Sequence, residues 1–516
     1  MMNPLQSYLY IPARNFSRSV TKCGLANSPQ VTLPLNFVHG LRRDSHGSSS
    51  FPLLVPASGK KLKDIQNSNK QDVDSAVKAA RTSFKAWSQW SGFERGQVLR
   101  KAANIIKARA EELAYTEVYD TGKPIWEARF DILGCAQTMD YYGGLAAAIA
   151  GDFISLCGNS FAYTIREPLG VVAAIGAWNY PFQMAVWKSS PALACGNTCV
   201  FKPSQFTPLT AVMLAEIYQE AGLPDGCFNV IQGEAETGQL LISHSDINKV
   251  SFTGSVASGS KVMASCAADI KHVTLELGGK SPLIIFADAD IDNAVKGAML
   301  ANFCNQGQVC SNGTRVFVEE SIASEFLSKL IMRVKLMKIG DPNDDDTTVG
   351  ATINEAHAKR VLAYIELAKK EGAQLAYGGE RVQMDNPILA GGYYLRPCIL
   401  TNCTDEMTVV KEEIFGPVLS MLTFKSEEEV IDRANNTDFG LAGGLFTRDL
   451  QRAHRVVSKL EAGSIYVNNY NVYPVGVPFG GYKKSGIGRE NGRDTLNYYS
   501  QLKSVYFEGS HVDCPY

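Results

Sequence analysis

The sequence carries almost no net charge: 50 Lys and Arg stand against 52 Asp and Glu in 516 residues. Nucleic acid and acidic membrane faces both demand a basic surface, so this balance argues against either as the main partner. No apolar run approaches the roughly 20 residues that cross a bilayer, while the 45% apolar content is that of an ordinary globular chain. Cys-x-x-Cys pairs are missing, and twelve cysteines in so long a chain are too dilute for a disulfide scaffold. Most of them read as reduced, buried small hydrophobes. Seven histidines include no His-Glu-x-x-His, which leaves a catalytic metal without support. Neither Gly-x-Gly-x-x-Gly nor Walker A spacing occurs, so a standard P-loop is excluded.

What is present suggests two or three domains, since 516 residues exceed one ordinary domain. From Met1 to Arg43 there are five basic residues and no acidic one. Residues 1–43 are therefore expected to be either a mitochondrial transit segment or a disordered tail, placing the protein in the matrix or the cytoplasm. Helical periodicity follows at Asp72–Ser88 and Arg95–Thr121. Beyond Leu169 the texture changes to short apolar runs, Val171–Ala177, Thr198–Lys202, Phe228–Ile231 and Lys249–Phe252, separated by helix-like segments such as Phe182–Ala194 and Pro208–Ala221. Strands alternating with helices imply a parallel sheet. Thr207 before Pro208 is expected to cap the helix that follows. A second alternating series, Pro282–Phe286, Ile291–Cys304 and Thr314–Val318, implies a second α/β domain that meets the first near residue 277 across a cleft.

Phe252-Thr253-Gly254-Ser255-Val256-Ala257-Ser258-Gly259 reads as a strand end, a glycine turn and a helix start. Such a helix N-terminus presents free N–H groups and a positive dipole end to a pyrophosphate, although the same turn is often only structural. Three further segments stand out: Cys310 in Asn305-Gln306-Gly307-Gln308-Val309-Cys310-Ser311, Glu276 in Leu275-Glu276-Leu277-Gly278-Gly279-Lys280, and Asn179 in Trp178-Asn179-Tyr180-Pro181. They supply a thiol, an acid and an amide.

In this order the segments resemble the NAD(P)-dependent aldehyde dehydrogenase superfamily, with the likeness running from about residue 50 to about 505. The resemblance implies an α/β fold with a Rossmann-type cofactor domain (44–148 and 168–277), an α/β catalytic domain (278–485) and a small β oligomerisation arm with a C-terminal tail (149–167 and 486–516). It implies NAD as cofactor, a small aldehyde as substrate, a homotetramer, and no nucleic-acid or membrane partner. Cys310, Glu276 and Asn179 become the catalytic set. A thiolate adds to the carbonyl, preorganised donors hold the oxyanion, and a base in a dry cleft activates water against the thioester. The cofactor set becomes Lys202, Gln205, Gly233, Gly254, Ser255, Val256, Ala257, Ser258, Gly259, Glu413 and Phe415. Gln205 departs from the family pattern, which often has a carboxylate there; without one the case for NAD over NADP is weaker. The likeness is strongest to a betaine-aldehyde-oxidising branch, which implies a trimethylammonium aldehyde. A quaternary ammonium cannot donate hydrogen bonds and is held best by aromatic faces. Tyr142, Tyr180, Trp187 and Tyr473 are the candidates, with core packing as the alternative reading for Trp187. A general aliphatic aldehyde dehydrogenase and a cofactor-binding protein without turnover remain open as other readings.

Overall fold

The computed structural model describes residues 35–516. Of the segment expected as a transit peptide or tail, residues 1–34 lie outside the described residues. The remainder corrects that expectation, because Asn36–Val38 and Leu41–Arg43 are strands of the first sheet. His39 (φ 53°) and Gly40 (φ 75°) turn between them, the two left-handed residues a tight hairpin needs. Phe37 then pairs antiparallel with Val230. Three-residue strands are too short to show an alternation, which is why a reading of periodicity passes over them.

Eight strands form this sheet, in spatial order Leu41–Arg43, Asn36–Val38, Phe228–Val230, Thr198–Lys202, Val171–Ile175, Lys249–Thr253, His272–Glu276 and Gly486–Ile487. The five from Phe228–Val230 to His272–Glu276 run parallel. Val171–Ile175 and Thr198–Lys202 are buried along their whole length, as strands covered on both faces by crossover helices must be. Chain order runs one way from Val171–Ile175 and the other way from Lys249–Thr253. The topological switch point, where open α/β sheets bind ligands, lies between these two strands at their carboxyl ends.

A seven-stranded sheet follows, in which Cys398–Thr401, Val418–Phe424, Arg315–Glu319, Pro282–Ile285, Ala442–Phe446 and Ser464–Val467 run parallel, with Gln374–Tyr377 antiparallel at one edge. Phe153–Ser155, Phe161–Pro168 and Ser500–Phe507 make a separate three-stranded antiparallel sheet, in register from Phe161↔Phe507 to Pro168↔Ser500. Leu502, Tyr506 and Phe153 are exposed on it.

The helices depart from the sequence reading at two places. Arg95–Thr121 is two helices, Gly92–Ala108 and Ala110–Thr121, broken at Arg109 (φ −102°, ψ 18°). Thr207 does not cap the helix Leu209–Glu220; the Leu209 N–H donates instead to Asp120 Oδ2 at 3.0 Å, from a helix far away in sequence.

Candidate active site

A cavity of about 240 Å3 opens at the switch point. Its first wall is the loop Ala177–Tyr180, with Met184 and Trp187 of the helix Pro181–Ala194, Thr253–Ser255 and Glu276–Gly278. The second wall supplies Val309, Cys310, His357, Arg360, Glu413 and Phe415, and Tyr473 and Phe479 close one end. The structure thus brings Cys310, Glu276 and Asn179 to one cavity from three separate stretches of chain.

Cys310 follows a loop in an uncommon conformation. Asn305 (φ 49°), Gln306 (φ 55°) and Gly307 (φ 73°) are consecutive left-handed residues, and for the two with a β-carbon this costs about 1–2 kcal/mol each. Gly307 has no alternative, because a Cβ there would lie 2.2 Å from the Gly416 carbonyl. Asn179 Nδ2 donates to the Gln308 carbonyl at 2.9 Å, and Asn305 Nδ2 donates to the Asn179 carbonyl at 2.9 Å, so the amide and the thiol loop brace each other. An amide nitrogen carries two hydrogens, leaving Asn179 one to offer an oxyanion. Burial, reinforced by the carboxylates of Glu413 and Glu276, pushes the Cys310 thiol up.

Glu276 ends the strand His272–Glu276 and is buried, yet neither of its oxygens has a hydrogen-bond partner. Burial, then the nearby Glu490, pushes its carboxyl well above the usual range, while Lys188 and Arg489 pull the other way. Lys188 Nζ also donates to Glu490 and to Ser251 Oγ, forming an ion pair behind the acid. A carboxyl with free oxygens and a raised pKa is a stronger base than an ordinary carboxylate and is suited to take a proton from water.

The glycine turn leads into the helix Val256–Ala267, where Ser255 Oγ accepts from the Ser258 N–H at 3.3 Å. That leaves the first-turn N–H groups of Val256 and Ala257, which no intrahelical carbonyl can reach, as donors for an anion. Gly259 lies on the inner side of this helix, where a Cβ would meet Leu277 at 2.5 Å. Across the cavity, Gly279 N–H donates to Glu413 Oε1 at 3.2 Å, and a Cβ on Gly278 would strike Glu413 Oε2 at 2.2 Å. Burial pushes Glu413 up to about 7. Phe415 is left-handed (φ 61°), and its carbonyl lies 2.7 Å from His357 Nε2. Burial holds His357 down to about 4, so the neutral ring carries its proton on Nε2 and donates it to that carbonyl. Lys202, Gln205 and Gly233 do not line the cavity. They group at the carboxyl ends of the neighbouring strands, where Lys202 Nζ donates to the carbonyls of Pro203 (2.9 Å) and Gly233 (2.6 Å). Burial holds this lysine down to about 8.

Of the four aromatic candidates, Trp187 and Tyr473 meet edge-on beside Cys310, with ring centroids 6.3 Å apart. Phe479 completes a three-ring cluster, 5.9 Å from Trp187 and 5.4 Å from Tyr473. Tyr180 lines the cavity, but Lys123 Nζ lies 4.0 Å from its ring centroid, so an internal cation already uses one face. Tyr142 is corrected: it is fully buried in the helical core, its hydroxyl donating to the Gly492 carbonyl at 3.2 Å, and it does not line the cavity. A tyrosine on a helix reads alike whether its face meets core or cleft. The sequence reading missed Phe479, Trp178, His357 and Arg360 as cavity residues. No local pattern marks them, because packing between distant segments puts them there.

The aldehyde dehydrogenase family profile matches residues 43–505. The chain belongs to this family. It is 57% identical to the 4-trimethylaminobutyraldehyde dehydrogenase of Rattus norvegicus, covering 94% of this chain and 98% of that one, and 56% identical to the human protein of the same name over the same shares. Among solved structures, betaine aldehyde dehydrogenase from Staphylococcus aureus in complex with NAD+ superposes with a TM-score of 0.91 at 37% identity, covering 94% of this chain and 97% of that one. The NAD+ complex of an aldehyde dehydrogenase from Bacillus cereus gives 0.89 at 41%, covering 92% and 96%. The α/β architecture is therefore that of an aldehyde dehydrogenase, and the chain is an enzyme of that class.

Proposed function

We propose that this aldehyde dehydrogenase oxidises 4-trimethylaminobutanal to 4-trimethylaminobutanoate with NAD, and accepts aminoaldehydes and betaine aldehydes more broadly. The observation that carries the substrate is the cluster of Trp187, Tyr473 and Phe479 at the thiol, an aromatic surface against which a cation without hydrogen-bond donors can rest. Relatives of that name at 56–57% identity support the same reading.

The residues present suit the dinucleotide: free N–H groups at Val256 and Ala257 for the pyrophosphate, and Glu413, fixed by Gly279, for a ribose. When bound, NAD supplies the acceptor for the hydride. The chain supplies the rest. Cys310 passes its proton to water in the cavity and its sulfur bonds to the carbonyl carbon, producing a thiohemiacetal oxyanion. The spare N–H of Asn179 and the backbone N–H of Cys310 stabilise it. Once the hydride has left, the carbon is a thioester of Cys310. Glu276 takes a proton from water, the hydroxide oxygen adds to the thioester carbon, and the C–S bond breaks to release the acid and restore the sulfur.

Leucine at Trp187 or Tyr473 is expected to lower kcat/KM for trimethylaminobutanal by up to about thirtyfold, from about 0.5–2 kcal/mol per ring at ~1.4 kcal/mol per decade. Hexanal oxidation should change little. Equal losses on both substrates would return the enzyme to a general aliphatic aldehyde dehydrogenase, and an NADH-absorbance assay without signal on either would make it a cofactor-binding protein. Lys202→Ala should raise KM for NAD more than KM for aldehyde, because the lysine is assigned to the adenosine ribose; an unchanged KM for NAD would confine it to its bonds with Pro203 and Gly233. We assign the exposed three-stranded sheet to assembly of a homotetramer, a state that native mass measurement reads directly.

A further inference from the structure

Glu127 lies on the first turn of the helix Ile125–Leu145 and does not line the cavity. Both of its oxygens face a single donor, the backbone N–H of Asn305, at 3.1 and 2.9 Å, and the Cys304 thiol hydrogen-bonds to the same carboxylate. Asn305 opens the left-handed run before Cys310, a conformation that persists only where the surroundings hold it. From Asn305 the ties pass on through its side chain to the carbonyls of Asn179 and Gln308. The neighbours of Glu127 are themselves engaged. Lys123 pairs with Asp131 at 2.7 Å and stacks on Tyr180, and Glu117 faces the Phe182 N–H and the Thr210 hydroxyl. One carboxylate outside the cavity thus grips the backbone that sets the thiol against its oxyanion donor.

We propose that Glu127 is a positioning residue for acylation: by holding the Asn305 N–H and the Cys304 thiol it keeps the 304–307 loop left-handed and Cys310 aligned with Asn179. The inference rests on Cys310 being the nucleophile. Burial pushes Glu127 up to about 8, so variant and wild type are compared at about pH 9, above that value, where the wild-type group is a carboxylate with two acceptor oxygens.

Glu127→Gln keeps the shape but turns one acceptor into a donor facing the Asn305 N–H and the Cys304 thiol. In the full-length variant the NADH burst should slow at least tenfold, with NAD affinity within twofold of wild type and an unchanged melting temperature. Iodoacetamide alkylation of Cys310, followed by mass spectrometry, should change in rate as well. Adding Gln306→Gly, which makes one left-handed position free of strain, should recover the burst at least threefold. A carboxylate with only a structural role would lower the melting temperature and NAD affinity together and show no such recovery. That result, or a wild-type burst in the variant, overturns the proposal. If Glu127→Gln does not fold, Glu127→Asp, one methylene shorter, is judged by the same burst and recovery. Retained aldehyde oxidation in Cys310→Ala overturns the nucleophile assignment and this inference together, whereas acylation indifferent to Glu127 overturns this inference alone.

Discussion

Cys310→Ala should abolish aldehyde oxidation, by at least a thousandfold, on the order of losses seen when a covalent nucleophile is removed, while NAD still binds with near wild-type affinity. The separation follows from where the groups sit. The thiol belongs to the loop after residues 304–307, whereas the anion-binding helix start at Val256 and the Glu413–Gly279 contact belong to other segments. Alanine removes one sulfur from the cavity and leaves the braces of Asn179 to Gln308 and Asn305 in place, because they run through backbone carbonyls. Isothermal titration with NAD, beside an NADH-absorbance assay, reads both halves of the expectation. Retained turnover would move the nucleophile to another residue.

Glu276→Gln should leave acylation largely intact and stall the enzyme afterwards. The amide is nearly isosteric and cannot take a proton from water, so a full NADH burst should be followed by steady turnover lower by about 10²–10⁴-fold, the usual contribution of a general base. Intact-mass measurement after mixing with aldehyde and NAD should then show an acyl group on Cys310. Free thiol after a full burst would dismiss Glu276 from hydrolysis. The sign of the pH dependence follows from the surroundings of the acid. Burial and the neighbouring Glu490 hold the Glu276 carboxyl above its ordinary range, so its basic form is reached at higher pH than that of an ordinary carboxyl. Wild-type hydrolysis of the thioester should accelerate as pH rises and the basic form of Glu276 is populated. In the glutamine variant the residual rate should lose this dependence.

The parallel sheets were legible because buried strands write continuous apolar runs: Thr198–Lys202 has the same bounds in sequence and structure, and Val171–Ile175 differs only at its end. What escaped depends on contacts between distant residues. Asp120 rather than Thr207 meets the Leu209 N–H, a substitution of partner that no local pattern announces. The hairpin at 36–43 has only three residues per strand and owes its place to Phe37 opposite Val230. In the site, Cys310, Glu276 and Asn179 were found through the resemblance of their segments to a known family, because a lone thiol, acid or amide in a sequence carries no such mark. Tyr142 and Phe479 exchanged roles for a different reason: both are aromatic, and only packing decides that the first turns into the helical core while the second closes the cavity.

The strand Gly486–Ile487 gives this architecture a direction in time. It pairs with Leu275 and Glu276, and the stretch around it completes the enclosure of the acid: Leu277 N–H donates to the Ser485 carbonyl, Ser485 Oγ donates to the Gly278 carbonyl, and Gly480 lies against Glu276 Oε1. These residues are synthesised only after the whole second sheet, so a nascent chain can form the parallel core of the first sheet long before the pocket of its base exists. Carboxy-terminal truncations ending before residue 479 should therefore yield chains that fold in part yet never hydrolyse a thioester. For the same reason, co-expressing residues 35–277 and 278–516 as two fragments should restore hydrolysis only when the second fragment docks its Gly486–Ile487 strand onto the edge of the first.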